Sequence, residues 1–312
     1  MTNRKQARKT KIAIIGAGSM GMLFYSLLCK NKLLSLYFVE TRKHLPNGEK
    51  NFKFSYYSSP QTNSLKKSFN SVVKSIDSIK DADLVLITTK SFDISQTINS
   101  ITPYLSNNCL LLTVCNGYGF HNKIKDKNIL KKLFFGSTTH GAYKTTNTVT
   151  HAGHGITFIG CATPSTSKAS ISLIKNIFKT LKDTKFTNNI TIKMLLKLSI
   201  NAVINPLSAL HSCKNGELLQ HMKDIENVIN EIYTPLTLMG LNLTKNEMTD
   251  AILKVIHNTH NNYSSMQQDF SNNRKSELQY ILLPILQKAK ENNISLNFTL
   301  DLYNKLSKTE SK

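Results

Sequence analysis

Apolar positions along the chain change their period near residue 187. Before that point, short apolar runs alternate with mixed stretches: Ile12 to Ile15, LSLYFVE (Leu34 to Glu40), DADLVLITTK (Asp81 to Lys90) and LLLTVCNGYG (Leu110 to Gly119). Compact runs of this kind, bounded by polar residues, read as strands of a parallel sheet buried on both faces. After TKFTNNI (Thr184 to Ile190) the apolar residues recur at helical spacing, with NPL (Asn205 to Leu207) and NGEL (Asn215 to Leu218) as interruptions. A later helix holds NNYSSMQQDF (Asn261 to Phe270), and NRKSELQYILLPIL (Asn273 to Leu286) follows it. The pattern predicts an α/β domain over residues 1–187 and a helical domain over residues 188–312.

The first strand carries chemistry at its end. GAGSMG places Gly16, Gly18 and Gly21 at G-x-G-x-x-G spacing, between the Ile12 to Ile15 strand and a helix with apolar Met22, Leu23, Leu27 and Leu28. In that motif the first glycine makes the tight turn and the second lets a pyrophosphate approach the backbone. The third allows close packing of helix on strand. The helix N-terminus then offers N–H groups and a positive dipole to the phosphates. This predicts a Rossmann dinucleotide-binding domain.

Glu40 ends the next strand, where an acidic residue binds the ribose 2′-hydroxyl of NAD. Arg42 and Lys43 follow it, and either is a partner for the 2′-phosphate of NADP; both readings stay open at this point. Lys90 and Asn116 end the two later strands, and ligands of open α/β sheets lie off the carboxyl ends of strands.

In the second half, LLKLSINAVINPLSAL (Leu195 to Leu210) sets Lys197, Asn201 and Asn205 at i, i+4 and i+8 of an otherwise apolar helix. Each lies about 6 Å further along one stripe. A buried amide without a partner costs about 1–3 kcal/mol, and an unpaired buried ammonium costs far more. The stripe is therefore either a snorkelling lysine with backbone-satisfied asparagines, or the polar wall of a pocket. Pro206 removes one helix hydrogen bond and is expected to kink or open the helix beside Asn205.

Composition narrows the partners. The 312 residues carry 40 Lys+Arg against 19 Asp+Glu, a formal charge of +21. That charge would suit nucleic acid or an anionic membrane, yet the lysines are dispersed and Asn, Lys and Ile are abundant throughout. No nucleic-acid or membrane partner is expected. The five cysteines are scattered without a C-x-x-C pair, which points to neither a disulfide framework nor a zinc site and fits a reducing cytoplasm. His151 and His154 in HAGH lack a third ligand, so no metal is expected. The uncharged Ile12 to Cys29 stretch mimics a signal peptide, but its three glycines belong to the dinucleotide motif.

Several motifs in order resemble the ketopantoate reductase (2-dehydropantoate 2-reductase) family. They are GAGSMG, TTK (Thr88 to Lys90), CNGYG (Cys115 to Gly119), GSTTHGAY (Gly136 to Tyr143) and HAGHGITFIG (His151 to Gly160), then KLSINAVINPLSAL, NGEL, SSMQQD and KSELQYI. The resemblance implies a Rossmann domain, an all-helical C-terminal domain and an active site in the cleft between them. It also implies NADPH-dependent reduction of 2-dehydropantoate to (R)-pantoate, a step toward pantothenate and coenzyme A.

Carried over by position, the family's catalytic lysine falls on Lys197 and its acidic partner on Glu277. The substrate-contacting residues fall on Asn201, Asn205, Asn215 and Ser265. Lys90 and Asn116 match the Rossmann edge, where Asn116 would meet substrate and cofactor. With Gly16, Gly18, Gly21, Glu40 and Arg42, they complete the expected NADP(H) site. Glu40 departs from the family, which usually presents a basic residue near the end of the second strand. The expected partner is a small-molecule substrate, the location cytoplasmic, and the assembly a monomer or homodimer. Two alternatives remain: a reductase of another branched 2-oxo acid, and a nucleotide-sensing or nucleic-acid-binding protein without activity on the same scaffold. The second has no use for both Lys197 and Glu277.

Overall fold

The computed structural model describes residues 8–41, 45, 48–58 and 66–310. Arg42 and Lys43 lie outside the described residues. The chain forms two compact units. One comprises the described parts of Met1–Cys115 with Ile124–Ile190; the other comprises Asn116–Lys123 with the described part of Thr191–Lys312.

The first unit is a sheet with helices. In chain order its elements are β1 (Thr10–Ile15), α1 (Ser19–Leu28), β2 (Leu34–Val39), β3 (Glu49–Ser58), β4 (Lys66–Lys74), β5 (Leu84–Ile87), α2 (Ser91–Ile101), β6 (Leu110–Val114), α3 (Lys127–Lys132), β7 (Leu133–Thr138), β8 (Gly141–Thr145), β9 (Thr148–Gly153), β10 (Thr157–Cys161), α4 (Lys168–Phe178) and β11 (Thr184–Phe186). Among the described residues, eleven strands run in the order β11-β10-β7-β6-β5-β1-β2-β4-β3-β9-β8.

The strands from β2 through β1, β5 and β6 to β7 are mutually parallel. Their inner members are the apolar runs of the sequence: every residue of β5 and β6 is buried, as are Ile12 to Ile15 of β1. Parallel strands covered on both faces need such runs. Register aligns their carboxyl ends. Ile15 pairs with both Val39 and Ile87, so Gly16, Glu40 and Thr88 emerge side by side at one edge of the sheet.

The β3–β4 hairpin, antiparallel throughout, extends the sheet beyond β2, and the parallel β3–β9 pair extends it again. Aromatic packing holds it there. The Tyr25 ring stacks on Phe38 with centroids 5.3 Å apart, and Phe54 meets both rings edge-on. The sequence expectation of simple strand–helix alternation missed this hairpin, although Phe52, Phe54 and Tyr56 alternate with polar residues at the period of a half-buried strand.

The second unit holds α5 (Ile190–Leu210), α6 (Met222–Leu238), α7 (Lys245–Asn258), α8 (Ser265–Ser271), α9 (Leu278–Glu291) and α10 (Asn297–Glu310). Its core packs Leu195, Leu198, Val203 and Leu207 of α5 with Ile225, Ile229 and Ile232 of α6 and Ile281 and Ile285 of α9. By length and composition α5 could cross a membrane, but 61% of its apolar window is buried inside the protein, which is the burial of a core helix. Glu231 ties α6 to α10 by accepting the backbone N–H groups of Phe298 and Thr299 at 2.9 and 2.7 Å. That carboxylate fills the donors a helix start leaves unpaired.

Two helical expectations change. The helix continues through Pro206 to Leu210 instead of opening at NPL. Proline removes only the one N–H that would reach Ala202, and the apolar faces on either side keep their packing partners. NNYSSMQQDF is helical only from Ser265, because the Ser264 hydroxyl accepts the Gln267 N–H at 3.0 Å and caps α8.

Proline has a more informative effect in α9. Pro284 has no N–H to give the carbonyl of Tyr280, four residues back. The N–H of Tyr118 takes that place at 2.8 Å, and a Cβ on Gly119 would lie 3.5 Å from the Pro284 ring. Lys123 Nζ adds a 3.0 Å bond to the Tyr280 hydroxyl. A missing donor in one helix thus docks a distant segment beginning at Asn116.

Candidate active site

The glycine loop makes a tight turn at Gly16 with a helix packed closely at Gly21. Gly16 has φ +102°, a conformation costly for residues with a Cβ, and a Cβ there would already touch the Thr88 and Thr89 backbone at 3.0 Å. A Cβ on Gly21 would fall 1.9 Å from the Gly16 carbonyl oxygen, so α1 lies directly against the turn. Gly18 differs from both. It is exposed and a Cβ there would meet nothing within 4 Å.

The loop is fixed from behind by Thr88, whose hydroxyl lies 2.9 Å from the Gly16 carbonyl and 3.1 Å from that of Ile15. The sequence reading gave Thr88 no role; a small hydroxyl residue directly after a buried strand was the available signal. The first turn of α1 holds no acidic residue to oppose an anion. Backbone open at Gly18, beside a helix N-terminus, is suited to a pyrophosphate. Glu40 and Lys90 stand at the same strand edge, half-buried and each engaged by a partner, and Lys90 is the residue before α2. On the other side, Lys144 of β8 donates from Nζ to the Ala17 carbonyl at 2.9 Å.

In the helical unit, unbroken α5 carries Lys197, Asn201 and Asn205 on one stripe, as their spacing requires. Lys197 and Asn201 are half-buried, whereas Asn205 is buried. One turn on, Ser208 Oγ lies 3.1 Å from the Asn205 carbonyl and 2.7 Å from Ser264 Oγ. This buried hydroxyl pair brings the start of α8, and exposed Ser265, alongside the stripe.

Asn215 reaches the same neighbourhood from another direction. Its N–H donates to the Asn262 carbonyl at 2.9 Å and its side-chain amide to Thr259 Oγ1 at 2.8 Å. Its Oδ1 is buried with no hydrogen-bond partner. An orphaned acceptor of this kind costs about 1–3 kcal/mol, so it marks a place where a donor is wanted. The short 259–265 segment therefore bonds Asn215 through Thr259 and Asn262, meets α5 one turn past Asn205 through Ser264, and carries Ser265. Sequence reasoning singled out the asparagines and passed over Thr259, which bonds Asn215, and Ser208 and Ser264, which join α5 to the start of α8. Glu277 is buried immediately before α9; it and Lys197 each have a partner. Asn116 opens the segment docked on α9 through Tyr118.

The histidines of HAGH and GSTTHGAY form a network in the first unit. Gly155 N–H donates to His140 Nδ1 at 2.9 Å, so that nitrogen is an acceptor. His151 Nε2, 3.0 Å from it, must carry the proton, which leaves His151 Nδ1 to accept from the Tyr56 hydroxyl at 3.1 Å. Burial, and then the neighbouring His154 and His140, push His151 down to about 4.

A separate trio, His211, His221 and Asp224, brings potential ligand atoms within 4.8 Å of one another. The two rings stack 3.7 Å apart and 13° from parallel. In-plane lone pairs on such rings run side by side rather than converging on an ion, and His211 Nε2 is already bonded to Asp224 at 2.9 Å.

Two family models match the chain: ketopantoate reductase PanE/ApbA over residues 12–164, and ketopantoate reductase PanE/ApbA C terminal over residues 189–310. The 2-dehydropantoate 2-reductase of Escherichia coli O157:H7 is 30% identical over 305 residues, spanning 97% of this chain and 96% of that protein. The chain belongs to the ketopantoate reductase family. Like this relative, which it matches over nearly its whole length, it is an oxidoreductase.

Solved structures share the architecture of this ketopantoate reductase family member. A D-mandelate dehydrogenase with NADH and anilino(oxo)acetate superposes with a TM-score of 0.83 at 19% identity, covering 97% of this chain and 98% of that one. A dimeric ketopantoate reductase from Staphylococcus aureus gives 0.78, also at 19% identity, with coverages of 96% and 99%. The parallel-sheet unit followed by a helical unit is thus the ketopantoate reductase fold, as the motif order implied.

Proposed function

We propose that the protein reduces 2-dehydropantoate to (R)-pantoate with NADPH in the cytoplasm, on the route to pantothenate and coenzyme A. The observation that carries this is the polar stripe of Lys197, Asn201 and Asn205 on a core helix, together with the orphaned buried acceptor of Asn215 in the same unit. Amides and an ammonium on a core helix need polar partners, and a pocket wall would give them a ligand. A small hydroxylated keto acid supplies both the donors and the acceptors that amides take.

The open backbone at Gly18, the turn at Gly16 and the start of α1 hold the dinucleotide, with Glu40 and Lys90 at the same strand edge; Arg42 and Asn116 are its further expected contacts by sequence. When bound, the reduced nicotinamide supplies the hydride. Lys197 donates a hydrogen bond to the substrate's C2 carbonyl and delivers the proton as negative charge grows on that oxygen. Glu277 holds the ammonium in position and makes its burial tolerable. Asn201 and Asn205 grip the hydroxyl and carboxylate ends of the substrate, Asn215 completes the polar wall, and Ser265 adds a donor to the carboxylate.

The test is loss of reduced-nicotinamide absorbance with purified protein, 2-dehydropantoate and NADPH or NADH. Rapid loss with NADPH supports reaction, substrate and cofactor together. Turnover confined to other branched 2-oxo acids would overturn the substrate, and binding without turnover of any would overturn the enzymatic reading.

A further inference from the structure

Glu40 poses a problem for NADPH, because a carboxylate at the end of β2 faces the ribose hydroxyls and repels a 2′-phosphate. Register shows where a compensating cation is needed. Ile15 of β1 pairs with Val39 of β2, so Gly16 stands abreast of Glu40. Ala17 then lies between the β2 end, where ribose hydroxyls bind, and the Gly18–Ser19 start of α1, where the pyrophosphate binds.

Lys144 occupies that position. Its Nζ donates to the Ala17 carbonyl at 2.9 Å, and the side chain is exposed. It comes from β8, the outermost strand, joined to the sheet through the β9–β3 pairing. An irregularity at Gly141/Ala142 locally shifts the β8–β9 register just ahead of it, the kind of feature that re-aims side chains. An ammonium has three protons, and the carbonyl accepts one.

We propose that Lys144 binds the ribose 2′-phosphate, alongside the Arg42 expected there from the sequence, and helps turn a site bearing Glu40 toward NADPH. This rests on the dinucleotide reading of the glycine loop. The contact is a charge-assisted one at a solvent-exposed place, so it is worth about tenfold in affinity and weakens with added salt.

Calorimetric titration of the full-length protein tests it, with NADP⁺, NAD⁺, 2′,5′-ADP and 5′-AMP as ligands. Lys144→Met should bind NADP⁺ and 2′,5′-ADP about tenfold more weakly, while NAD⁺ and 5′-AMP move less than twofold. Lys144→Arg should retain the preference. Equal weakening toward all four ligands would overturn the proposal, since Lys144 would then only brace the loop. Unchanged affinities, or a wild-type protein that binds NAD⁺ as tightly as NADP⁺, would overturn it too and leave the dinucleotide site standing. A wild-type protein that binds no dinucleotide removes that site and the proposal with it.

Discussion

Acid should loosen the sheet unit through His151. The residue is 1% exposed, and burial, followed by the neighbouring His154 and His140, pushes its pKa from an ordinary 6.5 down to about 4, while its ring nitrogens are bonded to Tyr56 and His140. Because the folded value is depressed, the unfolded chain takes up the proton first as pH falls. The stabilisation is fully present above about pH 6.5 and is lost progressively down to about pH 4. The gap between those values, at about 1.4 kcal/mol per pH unit, corresponds to about 3 kcal/mol, a large share of a typical domain's 5–15 kcal/mol. His140 is lowered as well, first by burial, and acts in the same direction.

The assay is urea unfolding followed by circular dichroism at steps between pH 7 and pH 4, on wild type and on His151→Gln. The variant should start less stable at pH 7, because the Tyr56 bond is weakened, yet lose less on acidification. Parallel losses in the two proteins would refute the reasoning, since the cost of charging His151 could not then be driving the change.

Lys197→Ala should lower kcat by at least ~10²-fold, as loss of a general acid does, while dinucleotide affinity measured by titration stays near wild type. Gly21→Ala drives a Cβ to 1.9 Å from the Gly16 carbonyl oxygen, so it should cost about 1–3 kcal/mol in thermal unfolding and abolish dinucleotide binding. Ser264→Ala removes both the α8 cap and the partner of Ser208. A loss of about 1–2 kcal/mol in denaturant unfolding, with a raised KM, is the expected result. Glu40→Ala should impair NADH use more than NADPH use in steady-state assays; an equal effect would remove Glu40 from the ribose.

The parts of the molecule legible in the sequence were those with a strong local signal. Three glycines at fixed offsets after Ile12 to Ile15, and a polar stripe at period four inside Leu195 to Leu210, each follow from backbone geometry alone. What stayed hidden depends on pairing between residues far apart. Nothing near Tyr56 announces His151, 95 positions away, and nothing near Lys144 announces Ala17, 127 positions away. The β3–β4 hairpin fell between these cases: its alternation was present, but lysines on the exposed face lowered the apolar count that marks a strand. At SSMQQD the sequence offered two adjacent serines, and only burial separates Ser264, which caps α8, from exposed Ser265.

The bond from Tyr118 to Tyr280 has a consequence for the chain's synthesis. The donor leaves the ribosome more than 160 residues before its acceptor does. The helical unit therefore cannot close until its penultimate helix has been made, and the 116–123 segment must stay available through that interval. Expressing the C-terminal half alone, from Thr191 onward, would yield helices whose Tyr280 carbonyl and Pro284 face have lost their covering strand of chain. Adding a synthetic 116–123 peptide to such a fragment is a direct way to supply the missing piece.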